Sequence, residues 1–313
     1  MQKYRVIFMG TSEFAVPILE TLARASFLEI AAVYCQPDRP RDRGMACLGC
    51  PVKNKAQMLD LEIAQPLNFR DEAEIEKIRE LKPDAIVVAS YGMILPRAVL
   101  NIPQFSCLNI HPSLLPRYRG SAPIQGAIID GEKETGISIM LLDEKMDHGS
   151  ILAQRKIKIE QDDDIFSLSE RLAKRGADLL LKILPSYFRG EIKPVPQDHA
   201  QATLTKMIRK EDGRIDWSED AARIARKIRA YLGWPGSFTF WKNKRIIILE
   251  AEAKNADRYR EKNGEVFNIN SELYIQCGKN ILKIKKLRLE GKKEVTGVEF
   301  LRGYPKIIGG ILS

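Results

Sequence analysis

At 313 residues, 44% hydrophobic and 29% charged, the chain has the makeup of a soluble globular protein and is long enough for two domains. No apolar run approaches the roughly 18 residues of a membrane span, so no membrane contact is expected, and five irregularly spaced cysteines argue against a disulfide framework. The formal net charge of +9 is concentrated: residues 1–205 hold 26 Lys and Arg against 27 Asp and Glu, whereas residues 206–313 hold 24 against 14, a footprint for a polyanion such as nucleic acid or else a solvated basic face.

The N-terminal MQKYRVIFMG enters a strand pattern directly, without an apolar leader, so the expected compartment is the cytoplasm. The helical pattern EFAVPILETLA and the strand EIAAVYC follow. Cys47 and Cys50 then form a single CxxC, for which neither Cys35 nor Cys107 supplies a second zinc-type pair. Incidental thiols are the leading reading there, with a local disulfide or a metal site as alternatives. The helix EAEIEKIRELK and the strands DAIVVAS and FSCLNIH continue the alternation, which predicts an α/β fold whose parallel sheet is covered by helices on both faces. Two further strands, TGISIMLL and SILAQRKIKI, flank the turn DEKMDHG, and a long helix IFSLSERLAKRGADLLLKILPSYF closes the first domain.

Pro194 and Pro196 break the periodicity of the next stretch, which reads as a linker. Beyond it, DWSEDAARIARKIRAYL reads as a helix with Ser218 as N-cap, followed by short strands separated by Gly and Asn turns. That spacing predicts a small β-barrel, preferably of the five-stranded oligonucleotide-binding (OB) type. The predicted domains are 1–189, a Rossmann-like catalytic domain; 190–208, a linker; and 209–313, a basic OB-like domain.

Asn109 and His111 are two apart on a strand, so their side chains share a face, at the strand end where ligands bind in open α/β sheets. No Ser, Cys or Lys stands at a spacing that suggests covalent catalysis. What remains is electrostatic stabilisation of an oxyanion in a direct acyl transfer, with Asp147 in its Gly149 turn available to orient His111 or to take a proton. Each of the three also has an ordinary reading, as a satisfied strand-end polar residue or a turn-capping Asp.

The stretch LNIHPSLLPRYRGSAPIQ resembles the signature of the 10-formyltetrahydrofolate-dependent formyltransferases. The segments VIFMGTSEFAVPILETL, QPDRPRDRG, VVASYGMILP and RIDWSEDAARIARKIRAYLGWPGSFT extend the likeness, in order, along the branch of that family that acts on methionyl-tRNA. The resemblance implies a Rossmann-like domain followed by an OB-type barrel, and formyl transfer to the free amine of methionine on initiator tRNA, for translation initiation, through a tetrahedral intermediate. It implies catalytic roles for Asn109, His111 and Asp147. It implies folate contacts from Ser113, Leu114, Leu115 and Pro116, from Tyr91, Gly92, Met93 and Ile94, and from Leu142 and Asp143. Arg41 and Arg43 fall in a loop implied to enter the tRNA acceptor arm, no metal is expected, and a monomer is. Two departures stand out: Cys47 to Cys50 replace a usual Lys, Ser and Pro pattern, and His148 replaces a usual Thr, placing a second imidazole beside the site. Rival readings are a formyltransferase for an amino-sugar nucleotide or glycinamide ribonucleotide, which would gain nothing from a basic domain, and a non-catalytic RNA-binding protein, against which the intact triplet argues.

Overall fold

Val6, Ile7, Phe8 and Met9 are wholly buried, so the first strand, β1 (Tyr4–Gly10), shows apolar side chains on both faces, as a central parallel strand must. The computed structural model describes residues 3–38, 49–256 and 262–313; Arg41, Arg43 and Cys47 lie outside them. The chain divides into two units, one of residues 1–120, 134–158 and 169–204, the other of residues 121–133, 159–168 and 205–313.

In the first unit β1 is followed by α1 (Val16–Ala23), β2 (Leu28–Tyr34), α2 (Pro51–Met58), β3 (Ile63–Ala64), α3 (Glu72–Glu80), β4 (Ala85–Ala89), α4 (Arg97–Leu100), β5 (Cys107–His111) and the two-residue β6 (Arg119–Gly120). After α5 (Pro123–Asp130), which belongs to the other unit, come β7 (Glu134–Leu141), β8 (Ile151–Lys158) and α6 (Ile165–Phe188). The sheet has seven strands in the order β3-β2-β1-β4-β5-β7-β8. The pairs from β3 to β5 are parallel, whereas β5–β7 and β7–β8 are antiparallel, so the sheet is parallel-rich as expected. Strand order reverses at β1 and β4, the switch point where such sheets open a crevice. There Thr11 N donates to Ser90 O at 3.1 Å and Thr11 Oγ1 to Tyr91 O at 2.9 Å.

The short β9 (Leu204–Thr205) marks the passage into the second unit. This unit holds α7 (Ala221–Ala230), β10 (Ser237–Trp241), β11 (Lys244–Lys254), β12 (Val266–Ile269), β13 (Glu272–Gln276), β14 (Ile281–Leu289), β15 (Glu294–Thr296) and α8 (Gly297–Gly303). The strands form one antiparallel sheet in the order β10-β11-β14-β13-β12, with β15 on β14. Among the described residues no pairing joins β10 to β12, so the ladder is not closed by hydrogen bonds into a ring. Ala221, Ile224, Ala225 and Ile228 put an apolar stripe of α7 against Ile246, Ile248, Ile284 and Leu287. The N-cap of α7 is Asp220, whose carboxylate accepts from Ala222 N at 2.9 Å; the expected cap, Ser218, instead donates its hydroxyl to Asp216 at 2.6 Å. Asp220 prevails because it immediately precedes Ala221, the first buried residue of the stripe.

No helix among the described residues is long and apolar enough to cross a membrane.

Candidate active site

The strand β5 reads buried at Cys107, Leu108, Ile110 and His111 and half-buried at Asn109. Its antiparallel pairing with β7 sets Asn109 opposite Met140 and His111 opposite Ser138. His111 is 4% exposed, and its Nε2 lies 2.9 Å from the carbonyl oxygen of Tyr118. A carbonyl only accepts, so Nε2 carries the proton in that bond and Nδ1 faces the other way. Nδ1 lies 3.5 Å from Asp147 Oδ1, and Asn109 Nδ2 donates to the same oxygen at 3.4 Å. The structure therefore brings together the three residues singled out in the sequence.

Asp147 is delivered by the turn between β7 and β8 in a left-handed conformation, φ 50°, that Asp tolerates better than most residues. Its second oxygen, Oδ2, accepts from Gly120 N at 2.8 Å. Leu141 N donates to Ser150 O at 2.9 Å across the base of the turn. Gln197, 6% exposed, grips the turn from outside: its Nε2 donates to Asp147 O at 3.0 Å and to Gly149 O at 2.7 Å. Arg119 in turn fixes that amide, donating from Nε and Nη2 to Gln197 Oε1 at 3.1 and 2.6 Å. Gln197, Arg119 and His199 were not picked out from the sequence; Gln197 and His199 lie in the Pro-broken segment read as a linker, where no periodicity flags a residue.

The loop after β5 is anchored through one hydroxyl. Ser138 Oγ donates to Ser113 O at 2.7 Å and accepts from Leu115 N at 3.0 Å and from Gln154 Nε2 at 2.8 Å. Ser113 is fully buried, its own hydroxyl donating to Arg117 O at 2.6 Å, and Leu115 is 4% exposed. The stretch Ser113 to Pro116 thus offers outward only the half-buried Leu114 and Pro116.

Tyr91, Met93, Leu95 and Leu142 share one apolar cluster at the switch-point end of the sheet. The Tyr91 ring is 2% exposed, its hydroxyl has no hydrogen-bond partner among the described residues, and burial holds the phenol well above its ordinary pKa. Gly92 adopts φ 78° and its carbonyl accepts from Gln36 Nε2 at 2.9 Å, while Ile94 stands almost wholly exposed. Asp143 is exposed and accepts from His148 Nδ1 at 2.8 Å. Among the described residues no cluster of His, Cys, Asp and Glu is arranged to hold a metal ion.

Asn109 donates to one oxygen of Asp147, and His111 Nδ1 faces that same oxygen as a lone pair in the neutral imidazole and as a donor in the imidazolium. With the carboxylate tied down by its other oxygen, and distances long enough for a substrate oxygen to compete, the imidazolium form of this arrangement is able to stabilise an oxyanion and receive a proton.

Residues 3–184 match the family described as Formyl transferase, and residues 207–305 the one described as Formyl transferase, C-terminal domain. The chain is 41% identical over 314 residues to a methionyl-tRNA formyltransferase of Citrifermentans bemidjiense, covering 100% of this chain and 98% of that protein. It is 42% identical over 311 residues to a methionyl-tRNA formyltransferase of Caldanaerobacter subterraneus subsp. tengcongensis, covering 99% of this chain and 100% of that one. Among solved structures, HypX from Aquifex aeolicus in complex with tetrahydrofolic acid superposes with a TM-score of 0.63 at 19% identity, over 99% of this chain and 48% of that one, a likeness of fold.

Proposed function

The chain belongs to the formyl transferase family and is an enzyme, and from that premise we propose that it transfers the formyl group of 10-formyltetrahydrofolate to the free α-amine of methionine esterified to initiator tRNA. The observation that carries the reading is the convergence of Asn109 Nδ2 and His111 Nδ1 on a single oxygen of Asp147, at 3.4 and 3.5 Å.

The amine attacks as the neutral base; an α-amino group has a pKa of about 7.7 to 8.0, so little general-base help is needed. Attack forms a C–N bond at the formyl carbon and pushes the carbonyl electron pair onto oxygen. Asn109 and a protonated Nδ1 of His111 donate to that oxyanion. Asp147 takes a proton from the attacking nitrogen and passes it to N10 as the intermediate collapses, so that the bond to N10 breaks, N10 leaves as a neutral N–H and the carboxylate is restored. The clustered Tyr91, Met93 and Leu142, the Gly92 and Ile94 backbone, Asp143 and the outward faces of the Ser113 to Pro116 stretch supply an apolar wall with polar backbone for a flat heterocycle.

On the acceptor side, the excess charge of residues 206–313 supports tRNA phosphate binding. We assign residues 209–313 to an OB-type fold and Arg41 and Arg43 to the acceptor arm, in a monomer acting in the cytoplasm. The test is transfer of labelled formyl from 10-formyltetrahydrofolate to methionine-charged initiator tRNA, with charged elongator tRNA and free methionine in parallel. Label on the charged initiator alone is the expected result. Label on none of the three, with folate still bound, overturns the acceptor and moves it to a small amine.

A further inference from the structure

Beside Asp147 two histidines that the reaction does not use lie face to face. The rings of His148 and His199 stack with centroids 4.0 Å apart and planes 11° from parallel. Each is tied at its Nδ1: His148 to Asp143 Oδ2 at 2.8 Å, His199 to Arg119 Nη2 at 2.8 Å. The two ties differ in kind. A carboxylate accepts, so His148 Nδ1 carries a proton. A guanidinium only donates, so His199 Nδ1 is a bare lone pair and that imidazole is neutral.

We propose that the His148 and His199 stack is a proton-sensitive brace that positions Asp147, intact while His199 is neutral and released when it protonates. The proposal rests on the catalytic reading of Asp147.

The chain of contacts is continuous. His199 holds one nitrogen of Arg119; Arg119 fixes the Gln197 amide; Gln197 clamps the backbone of Asp147 and Gly149; Gly120, next to Arg119, holds Asp147 Oδ2. His148 sits between the two clamped residues, so its stacking on His199 grips the same turn a second time. That turn needs holding, because Asp147 keeps a left-handed φ of 50°. Protonation of His199 would point an N–H at the Arg119 N–H and set a cation against a cation, breaking the tie.

The groups facing His199 bias it toward the neutral form. His199 is exposed, and local desolvation of its ring, then the neighbouring charges of His148, Arg119 and Lys145, hold its pKa below the ordinary value of 6.5, while Asp198 opposes them. The sign follows: the brace is complete at neutral pH and is lost as pH falls through the lowered His199 pKa.

The test uses the full-length enzyme and compares kcat/KM across pH 5 to 8 for the wild type, His199→Asn and His199→Ala, the titration of the acceptor amine being common to all three. Asparagine places an acceptor oxygen near the position of Nδ1 and does not titrate. His199→Ala is expected to lose turnover at every pH, while His199→Asn restores it near pH 7.5 and lacks the acid limb. One unit below the His199 pKa the wild type should have fallen about tenfold relative to His199→Asn, the ratio of protonated to neutral imidazole there. In parallel, the ring-proton NMR titration of His199 should move to higher pH in His148→Ala, which removes a covering ring and a charge. Superimposable pH profiles of the wild type and His199→Asn, or a His199 titration unmoved by His148→Ala, would overturn the proposal. Asp147→Asn separates the two readings: if it keeps near-normal turnover, the catalytic reading of Asp147 fails while the NMR titration still judges the stack.

Discussion

A Cβ on Gly149 would stand 2.0 Å from the carbonyl oxygen of Leu141, well inside contact distance and against rigid backbone. Leu141 is the last residue of β7 and Gly149 lies just ahead of β8, so this close approach closes the turn that carries Asp147. Gly149→Ala must push the two backbone segments apart. The expected outcome is a loss of about 1–3 kcal/mol in stability, typical of overpacking, together with a larger fall in turnover as Asp147 leaves Asn109 and His111. Chemical denaturation and the formyl-transfer assay on the same preparation check both.

Asn109 is half-buried, and its amide bonds only weakly to Asp147, so Asn109→Ala should fold with little change in midpoint. Removing one oxyanion donor typically costs about 10² to 10³ in rate. The loss should fall on kcat and leave KM for the folate donor close to that of the wild type, because the interaction strengthens only as the oxyanion forms. Near-normal kcat for both Asn109→Ala and His111→Ala would remove the electrostatic mechanism.

Ser138 is fully buried and its single hydroxyl serves the Ser113 carbonyl, the Leu115 amide and the Gln154 amide together. Ser138→Ala leaves these groups short of a partner, and a buried unsatisfied group costs about 1–3 kcal/mol. The loop from Ser113 to Pro116 should loosen with it. Stability falls by about that amount, and KM for the folate donor rises more than kcat drops, in contrast to Asn109→Ala.

The contrast between those residues shows what the sequence could carry. Asn109 and His111 were legible because a strand's two-residue period puts them on one face whatever the rest of the chain does, and Asp147 because its Gly149 announces a turn. The sheet's apolar runs made β1, β4 and β5 legible for the same local reason. Gln197 and His199 were not, since what makes them matter is a contact some fifty residues back along the chain, formed only when an aperiodic segment returns to the β7–β8 turn. The burial of Ser113 depends likewise on a partner on another strand. Ring closure in the second sheet is a question of whether β10 meets β12, and strand patterns encode which segments extend, not which edges pair.

Cys107 and Cys277 are buried thiols, and burial pushes both up from 9.0 to about 12. Their folded pKa lies above the unfolded one, so they contribute stability fully present below about pH 9 that is lost as pH rises toward 12. Between pH 8 and pH 10 the unfolded thiols ionise while the folded ones stay protonated, which should cost about 1 kcal/mol per thiol. A denaturation midpoint that falls over this interval in the wild type, and falls less in Cys107→Ser or Cys277→Ser, is the expected result. Native-state alkylation at pH 8 should label the half-buried Cys50 well before either of them.

The uneven charge offers a test that distinguishes the two proposed substrates. Residues 206–313 carry 24 Lys and Arg against 14 Asp and Glu, whereas residues 1–205 are nearly neutral, so acceptor binding should respond to salt and donor binding should not. Each phosphate neutralised contributes about −0.9 to the slope of log affinity against log salt in a duplex stem, and about −0.7 in a single strand. Titration of charged initiator tRNA between 50 and 200 mM salt should give a line whose slope counts the phosphates held, while folate affinity measured alongside stays flat. Replacing paired basic residues in the second unit, such as Lys285 and Lys286, should make that slope shallower without changing kcat at saturating tRNA. A salt-independent affinity would mean that the basic excess is a solvated face, and that acceptor recognition rests on the first unit alone.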